Sequence, residues 1–277
     1  MSDTVASLLA QGSQALDVAG VASACRDVSV LLAHVLDGDP AGLRAEPERA
    51  VKGAVIAQFR DLIERRCARE PVSHLIGSRD FWRHSFRVTP DVLDPRPETE
   101  TLVEVALSHP GRRVLDLGTG SGCILLSVLA DRPEARGVGT DIAPAALELA
   151  CENAERIGIA ERATFLTSDW FDAVDGRFDL ILSNPPYIAR DEMAGLEPEL
   201  SYEPRGALTD EGDGLSAYRA IAAAAPGHLA SGGRLIVEVG HSQARAVGEI
   251  FRKAGLEDVA VHCDLDGRER VVSAGAN

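Results

Sequence analysis

From Arg112 to the C-terminus, short apolar strands alternate with amphipathic helices, and this alternation constrains the fold more than any other feature of the chain. Strands are expected at Val114-Leu115, Gly137 to Asp141, Ala163 to Thr167, Phe178 to Ser183, Gly233 to Val239, Asp258 to His262 and Arg270 to Ser273. Helices are expected at Ile124 to Leu129, Pro144 to Arg156, Ser216 to Leu229 and Gln243 to Ala254. Strands separated by helices form parallel sheets covered on both faces. The last two strands have no helix between them, so one of them should run antiparallel. The expectation is an α/β fold around a mostly parallel seven-stranded sheet.

Upstream the pattern differs. Val5, Leu8, Leu9 and Leu16 fall at helical spacing, as do Val28, Leu31, Leu32 and Val35, with a break at Pro40 and Gly42. A third helix is expected from about Pro47 to Arg69, stopped by Pro71. Phe81, Trp82, Phe86 and Val88 read as a hairpin, and Asp94-Pro95-Arg96-Pro97 as a stiff turn before a helix from Glu98 to Ser108. Three segments follow: a helical bundle over 1–70, a β-hairpin linker over 71–95, and an α/β domain over 96–277.

Composition excludes several classes. No apolar run reaches transmembrane length, and Met1 to Ala10 lack a secretory pattern, so the cytoplasm is expected. The five cysteines are scattered without a Cys-x-x-Cys, and the seven histidines show no ligand spacing, so no metal is expected. The net charge of -15 is uneven. Residues 1–90 hold 11 basic and 11 acidic side chains, so residues 91–277 carry all of it. That argues against direct binding of nucleic acid, which needs a basic face.

Arg113-Val-Leu-Asp-Leu-Gly-Thr-Gly-Ser-Gly122 is a strand entering a glycine-rich turn before a helix. Ligands of open parallel sheets bind at such carboxyl ends. The glycines at 118, 120 and 122 miss the dinucleotide spacing by one residue, and no phosphate-loop Lys follows. Asp141 ends the next strand, where a carboxylate can accept ribose hydroxyls; that position alone fits either NAD or S-adenosylmethionine. The turn resembles motif one of the class I methyltransferases. In that fold Asp169-Trp170 would flank the adenine, although core packing also explains a tryptophan there.

Asn184-Pro-Pro-Tyr187 ends the buried strand Phe178 to Ser183. A planar amide or amino nitrogen is a poor nucleophile, because its lone pair is delocalised. A site can accept its N–H protons and aim the lone pair. Asn184 offers a side-chain carbonyl, and Pro185 a backbone carbonyl in a rigid turn. Two acceptors hold both protons of an NH₂ and exclude a hydroxyl or an ammonium. Tyr187 can pack on the planar group. The tetrapeptide by itself leaves adenine and glutamine open as substrates.

Further blocks narrow the choice by resemblance. Glu70-Pro-Val-Ser-His-Leu-Ile-Gly77, Pro95-Arg-Pro-Glu-Thr-Glu100, Ser168-Asp-Trp-Phe171, Tyr202-Glu-Pro204, Gly212-Asp-Gly-Leu215 and Gly267-Arg-Glu-Arg-Val271 occur in order. Together with Asn184 to Tyr187 they resemble the HemK/PrmC-type enzymes, which methylate the glutamine of the Gly-Gly-Gln loop in peptide chain release factors. The resemblance spans nearly the whole chain. It implies that Gly118, Thr119, Gly120, Ser121, Gly122, Asp141, Asp169, Trp170 and Asn184 contact S-adenosyl-L-methionine, which leaves as S-adenosyl-L-homocysteine. It implies that Asn184, Pro185, Pro186 and Tyr187 form the catalytic pocket. The implied partner is a release factor, with no membrane and no nucleic acid bound directly, and a monomer is expected. A glutamine methyltransferase of a ribosomal protein is the nearest alternative, ahead of an adenine-N6 methyltransferase and of a binding module without activity.

Two charge runs suggest partner contacts. Residues 188–214 carry eight acidic side chains, read as a rim for a basic partner; residues 60–87 carry seven arginines, read as a second contact.

Overall fold

The computed structural model describes residues 3–276, so Met1 and Ser2 of the stretch tested for a secretory pattern lie outside the described residues. In chain order the helices and strands are α1 (Val5–Val18), α2 (Ala24–Val35), α3 (Pro40–Ala45), α4 (Gly53–Cys67), α5 (Val72–Ile76), β1 (Ser78–Phe81), β2 (His84–Arg87), α6 (Glu100–Ser108), β3 (Arg113–Leu117), α7 (Cys123–Asp131), β4 (Arg136–Asp141), α8 (Pro144–Ile157), β5 (Ala163–Thr167), β6 (Phe178–Ser183), α9 (Arg205–Leu208), α10 (Ser216–His228), β7 (Leu229–Glu238), α11 (Ala244–Lys253), β8 (Glu257–Cys263) and β9 (Glu269–Gly275). No helix among the described residues is long and apolar enough to cross a membrane. The chain divides into two compact units.

One unit comprises the residues up to Ser78 together with the short segment Glu197–Tyr202. Its core joins Val5, Leu8 and Leu16 of α1 to Val28, Leu31 and Leu32 of α2 and Phe59, Leu62 and Ile63 of α4. Each such side chain contributes roughly 1.5–3 kcal/mol by leaving water. Where three helices are expected from sequence, five are found. Pro40 does not simply break the chain: it sits in the first turn of α3, and Asp39 caps that helix by accepting from the N–H groups of Ala41 and Gly42. The third expected helix starts six residues late, at Gly53, because the segment before it pairs with the N-terminus instead: Val5 donates to the Arg49 carbonyl and Ala6 to that of Pro47.

A buried ion cluster also holds this unit. Arg66 bonds Asp27 at 2.9 Å, Glu199 at 2.9 Å and the Glu70 carbonyl at 3.2 Å, and Arg69 bonds Glu199 at 2.8 Å. The Tyr202 hydroxyl donates to the Ala68 carbonyl. The segment Glu197–Tyr202 is therefore built into the helical unit by charge pairing.

The other unit comprises Arg79–Leu196 and the chain from Glu203 onward. Its sheet has seven strands in the order β5-β4-β3-β6-β7-β9-β8. The first five are parallel, and β9 runs antiparallel to both β7 and β8, as the missing connection helix requires. One core cluster packs Leu102, Val103, Ile124, Leu125 and Val128 with Leu180 and Leu182 of β6. A second packs Tyr218, Ile221, Val247 and Phe251 with Leu115, Ile181 and Leu235. Leu180 and Leu182 belong to one cluster and Ile181 to the other, which is the period-two alternation of a strand covered on both faces. The hairpin β1–β2 belongs to this unit, turned by Trp82 at φ +55° and closed on α8 by Asn153. The Asn153 side chain accepts from the Arg87 N–H and donates to the carbonyls of Arg87 and Ser121.

Candidate active site

The carboxyl ends of β3, β4, β5 and β6 surround a cavity of about 300 Å³. A topological reason places it there: β3 is followed outward by β4 in one direction and by β6 in the other, and the connecting loops splay apart.

The glycine turn forms one wall. Gly118, Gly120 and Gly122 all have positive φ. At Gly122 the need is also spatial: a Cβ would lie 3.0 Å from Leu126 and 3.2 Å from Ala150, where α7 and α8 approach. The Thr119 hydroxyl donates to Asp116 at 2.7 Å, and the Thr119 N–H donates to the Thr140 carbonyl. Asp116 has no exposed surface, and burial pushes its carboxyl up to about 7. Asp141 accepts from the Gly120 N–H with one oxygen and from the Ala143 N–H with the other, both at 2.9 Å. Each oxygen has a second lone pair with which to accept a further bond.

Ile142 follows Asp141 on the cavity wall, with 70% of its surface exposed. An apolar side chain so exposed beside a carboxylate is suited to the face of a flat ring. Sequence reasoning missed it; its signal is an isoleucine directly after the strand-ending acid. Asp169 and Trp170 also line the cavity. Trp170 lies at φ +46°, its carbonyl held by the Ser168 hydroxyl, and its ring also packs on the second core cluster.

Of the tetrapeptide, Asn184 and Pro186 line the cavity and Pro185 and Tyr187 do not, nor does Gly122 of the glycine turn. The Ser183 hydroxyl donates to the Leu117 carbonyl at 2.7 Å, tying the end of β6 to that of β3. The Asn184 side-chain nitrogen donates to the Thr99 hydroxyl oxygen at 3.4 Å. Its side-chain oxygen is buried without a hydrogen-bond partner among the described residues. Such a group costs about 1–3 kcal/mol, so its retention points to a ligand that satisfies it.

Tyr187 packs against the second core cluster, and its phenol is pushed well above the usual range, by burial first and then by the Glu238 carboxylate. Its carbonyl accepts from Gln243 at 2.8 Å, and the same Gln243 nitrogen reaches the Gly214 carbonyl. Gly214 has φ +74°, and a Cβ there would lie 2.3 Å from the Tyr187 carbonyl oxygen. Ile188 donates to the Leu208 carbonyl, and Arg190 to that of Gly212. The tetrapeptide is thus braced by the loop that follows it and by the cap of α11.

Both charge runs are at least partly paired within the fold. Within residues 188–214, Glu199 pairs with Arg66 and Arg69, Glu203 with Arg96, Glu211 with Arg205 and Asp213 with Arg219. Asp210 accepts from the backbone of Gly212, Gly214 and Ser216. All seven arginines of residues 60–87 have acidic partners: Arg60 with Asp3, Arg65 with Glu70, Arg66 with Asp27, Arg69 with Glu199, Arg79 with Asp94, Arg83 with Asp131 and Arg87 with Glu152. Asp191, Glu192 and Glu197 are exposed and form no ion pair among the described residues, so the acidic run keeps part of its charge while every arginine of the other run is paired. Among the described residues, no cluster of His, Cys, Asp and Glu is arranged to hold a metal ion.

Comparison with known proteins extends this picture. A family model described as PrmC N-terminal domain matches residues 7–77, and one described as Methyltransferase small domain matches residues 91–213. A release factor glutamine methyltransferase of Cereibacter sphaeroides is 54% identical over 260 residues, 94% of each chain. One of Rhodospirillum rubrum is 47% identical over 271 residues, 96% of this chain and 83% of the relative. Among solved structures, a methyltransferase from Pyrococcus furiosus superposes with a TM-score of 0.54 at 18% identity, over 69% of this chain and 87% of that one. The hMettl16 catalytic domain, in complex with MAT2A 3'UTR hairpin 6, gives 0.56 at 17%, over 68% and 74%. At these identities the structures support the fold alone.

Proposed function

Since the chain belongs to the release factor glutamine methyltransferase family, we propose that it methylates the side-chain amide nitrogen of the glutamine in the Gly-Gly-Gln motif of a peptide chain release factor. The observation that carries this reading to particular atoms is the unpartnered side-chain oxygen of Asn184, a residue that lines the cavity. It accepts one N–H of the substrate amide, and the Pro185 carbonyl accepts the other. With both protons held, the nitrogen lone pair is directed at the methyl donor. Pro186 keeps the turn rigid on the cavity wall, and Tyr187, packed against the core, braces the turn from behind.

The cavity suits S-adenosyl-L-methionine, which supplies an electrophilic methyl on a sulfonium. Its volume is at the lower end for a small-molecule site. The Gly118 to Gly122 turn lets that ligand approach the backbone, and Asp141 accepts its ribose hydroxyls. Asp169 takes the polar edge of its base, while Ile142 and Trp170 cover the ring. Rate enhancement then comes from orientation rather than from a general base. On this reading the chain acts as a cytoplasmic monomer without a metal, and the helical unit recognises the release factor.

Incubation with labelled S-adenosylmethionine and a release factor, followed by mass spectrometry of the Gly-Gly-Gln peptide, should place one methyl on the glutamine. Label confined to a ribosomal protein or to nucleic acid would overturn the assignment.

A further inference from the structure

We infer that Asp210 is a positioning residue: its carboxylate shapes the loop behind the catalytic turn, and through Gly212 and Gly214 it fixes the backbone of residues 187–190 and so the aim of Asn184 and Pro185. The inference rests on the role given to the tetrapeptide above. It also gives a task to the glycines of Gly212-Asp-Gly-Leu215, a block that does not line the cavity.

A turn with two prolines is stiff within itself, but its direction depends on how the chain leaves it. Here the exit is held by the loop between α9 and α10. Ile188 donates to the Leu208 carbonyl and Arg190 to the Gly212 carbonyl, both at 3.0 Å. The Gln243 side-chain nitrogen bridges the carbonyls of Tyr187 and Gly214. Gly214 is buried, and its Cα lies so close that a Cβ would come within 2.3 Å of the Tyr187 carbonyl oxygen. No helix or strand shapes residues 209–215, so side chains must. Asp210 does so. Its Oδ1 accepts from the N–H groups of Gly212 at 2.8 Å and Gly214 at 3.0 Å, and its Oδ2 from that of Ser216 at 2.8 Å. The two glycines held by one oxygen are the two that meet Arg190 and Tyr187. Ser216 is the first residue of α10, whose Tyr218 and Ile221 are fully buried in the second core cluster. Asp210 therefore carries the rigidity of the core to the exit of the catalytic turn.

Hydrogen bonds from backbone N–H groups to a carboxylate are about twice as strong as those to a neutral acceptor. Burial opposes ionisation of Asp210, but its bonds from Ser216, Gly212 and Gly214 outweigh burial and hold the carboxyl below the usual range. The brace stays charged through neutral pH. An asparagine in its place has one carbonyl oxygen for two of the three N–H groups and sets its NH₂ against the third; an alanine has none. The neighbouring Asp213 is the natural contrast. It accepts from the Leu215 N–H and pairs with Arg219, and among the described residues neither partner bonds residues 187–190.

The test compares Asp210→Ala, Asp210→Asn and the control Asp213→Asn with wild type, reading kcat on a release factor and S-adenosylmethionine affinity by calorimetry. Asp210→Ala should lower kcat about tenfold to a hundredfold, the usual cost of a misaimed group, and Asp210→Asn should recover part of that loss. Asp213→Asn should keep wild-type kcat. Cofactor affinity should hold in all three, since residues 208–216 do not line the cavity. Asp210 and Gln243 act on the same Gly214, so Asp210→Ala combined with Gln243→Ala should lose little more than the worse single variant, whereas independent effects multiply. An unchanged kcat in Asp210→Ala, a matching loss of cofactor affinity, an equal loss in Asp213→Asn or multiplied losses in the double variant overturn the inference. If Asp210→Ala does not fold, Asp210→Asn decides: a lowered kcat at unchanged cofactor affinity upholds the role, and wild-type kcat overturns it. Failure of the release-factor assignment is distinct, because it appears as no transfer by wild type. In that event hydrogen exchange at the Ile188 and Arg190 N–H groups decides without substrate. Faster exchange in the Asp210 variants than in wild type and Asp213→Asn upholds the brace, and equal rates in all of them overturn it.

Discussion

Replacing Asn184 by alanine removes one acceptor and the aim it provides while leaving the glycine turn intact. We expect kcat to fall about a hundredfold, with a much smaller change in cofactor affinity. Steady-state kinetics beside calorimetric titration of S-adenosylmethionine separates the two. Asp116 gives a different residue-scale prediction. Its folded pKa, about 7, is raised above the unfolded value near 3.8. The folded state therefore binds the proton more tightly, so the contribution to stability is complete below about pH 4 and is lost as pH rises toward 7. Glu238, also raised to about 7, adds to the trend. Across that window, Asp116→Asn should reduce the loss of stability by roughly 1 kcal/mol per pH unit, measured by denaturant unfolding at several pH values.

At the scale of elements, the catalytic turn depends on residues remote in sequence. Gln243 donates to the carbonyls of Tyr187 and Gly214, so Gln243→Glu would set a carboxylate against two carbonyl oxygens. We expect about a tenfold loss of kcat and a destabilisation of about 1–3 kcal/mol, read by turnover and thermal melting. The glycine turn, Asp141 and the tetrapeptide were legible in sequence because each is a contiguous run at the end of a periodic strand. Gln243 and Asn153 were not, because their roles arise from contacts across dozens of residues, and no local pattern marks them. The short helix α3 was missed for a related reason: a proline after an aspartate reads as a break or as a capped start, and tertiary packing decides between them.

At the scale of the whole molecule, the overall charge is -15, and four of the eight loop acids, Glu199, Glu203, Glu211 and Asp213, are paired with arginines where they stand. The salt dependence of kcat/KM for a release factor should therefore be unchanged when both members of a pair are neutralised together, Glu211→Gln with Arg205→Gln or Asp213→Asn with Arg219→Gln, since each pair sums to zero charge. A flattened salt dependence in either variant would restore the acidic-rim reading. Charge reversal at Arg66 is no longer a probe of partner binding. It would strand Asp27 and Glu199, and the loss of stability should reach about 3–5 kcal/mol in equilibrium unfolding, with Arg65 reversal far milder.

The segment Glu197–Tyr202 has a consequence for how such proteins diversify. The polypeptide passes between its two units three times, after Ser78, after Leu196 and after Tyr202. The helical unit is therefore not a cassette that ends at residue 78. A chimera that exchanged only the N-terminal stretch between relatives would inherit Arg66 and Arg69 from one parent and Glu199 from the other. Recombination between lineages succeeds only where those six residues travel with the helices, or where both parents already share the same charges there.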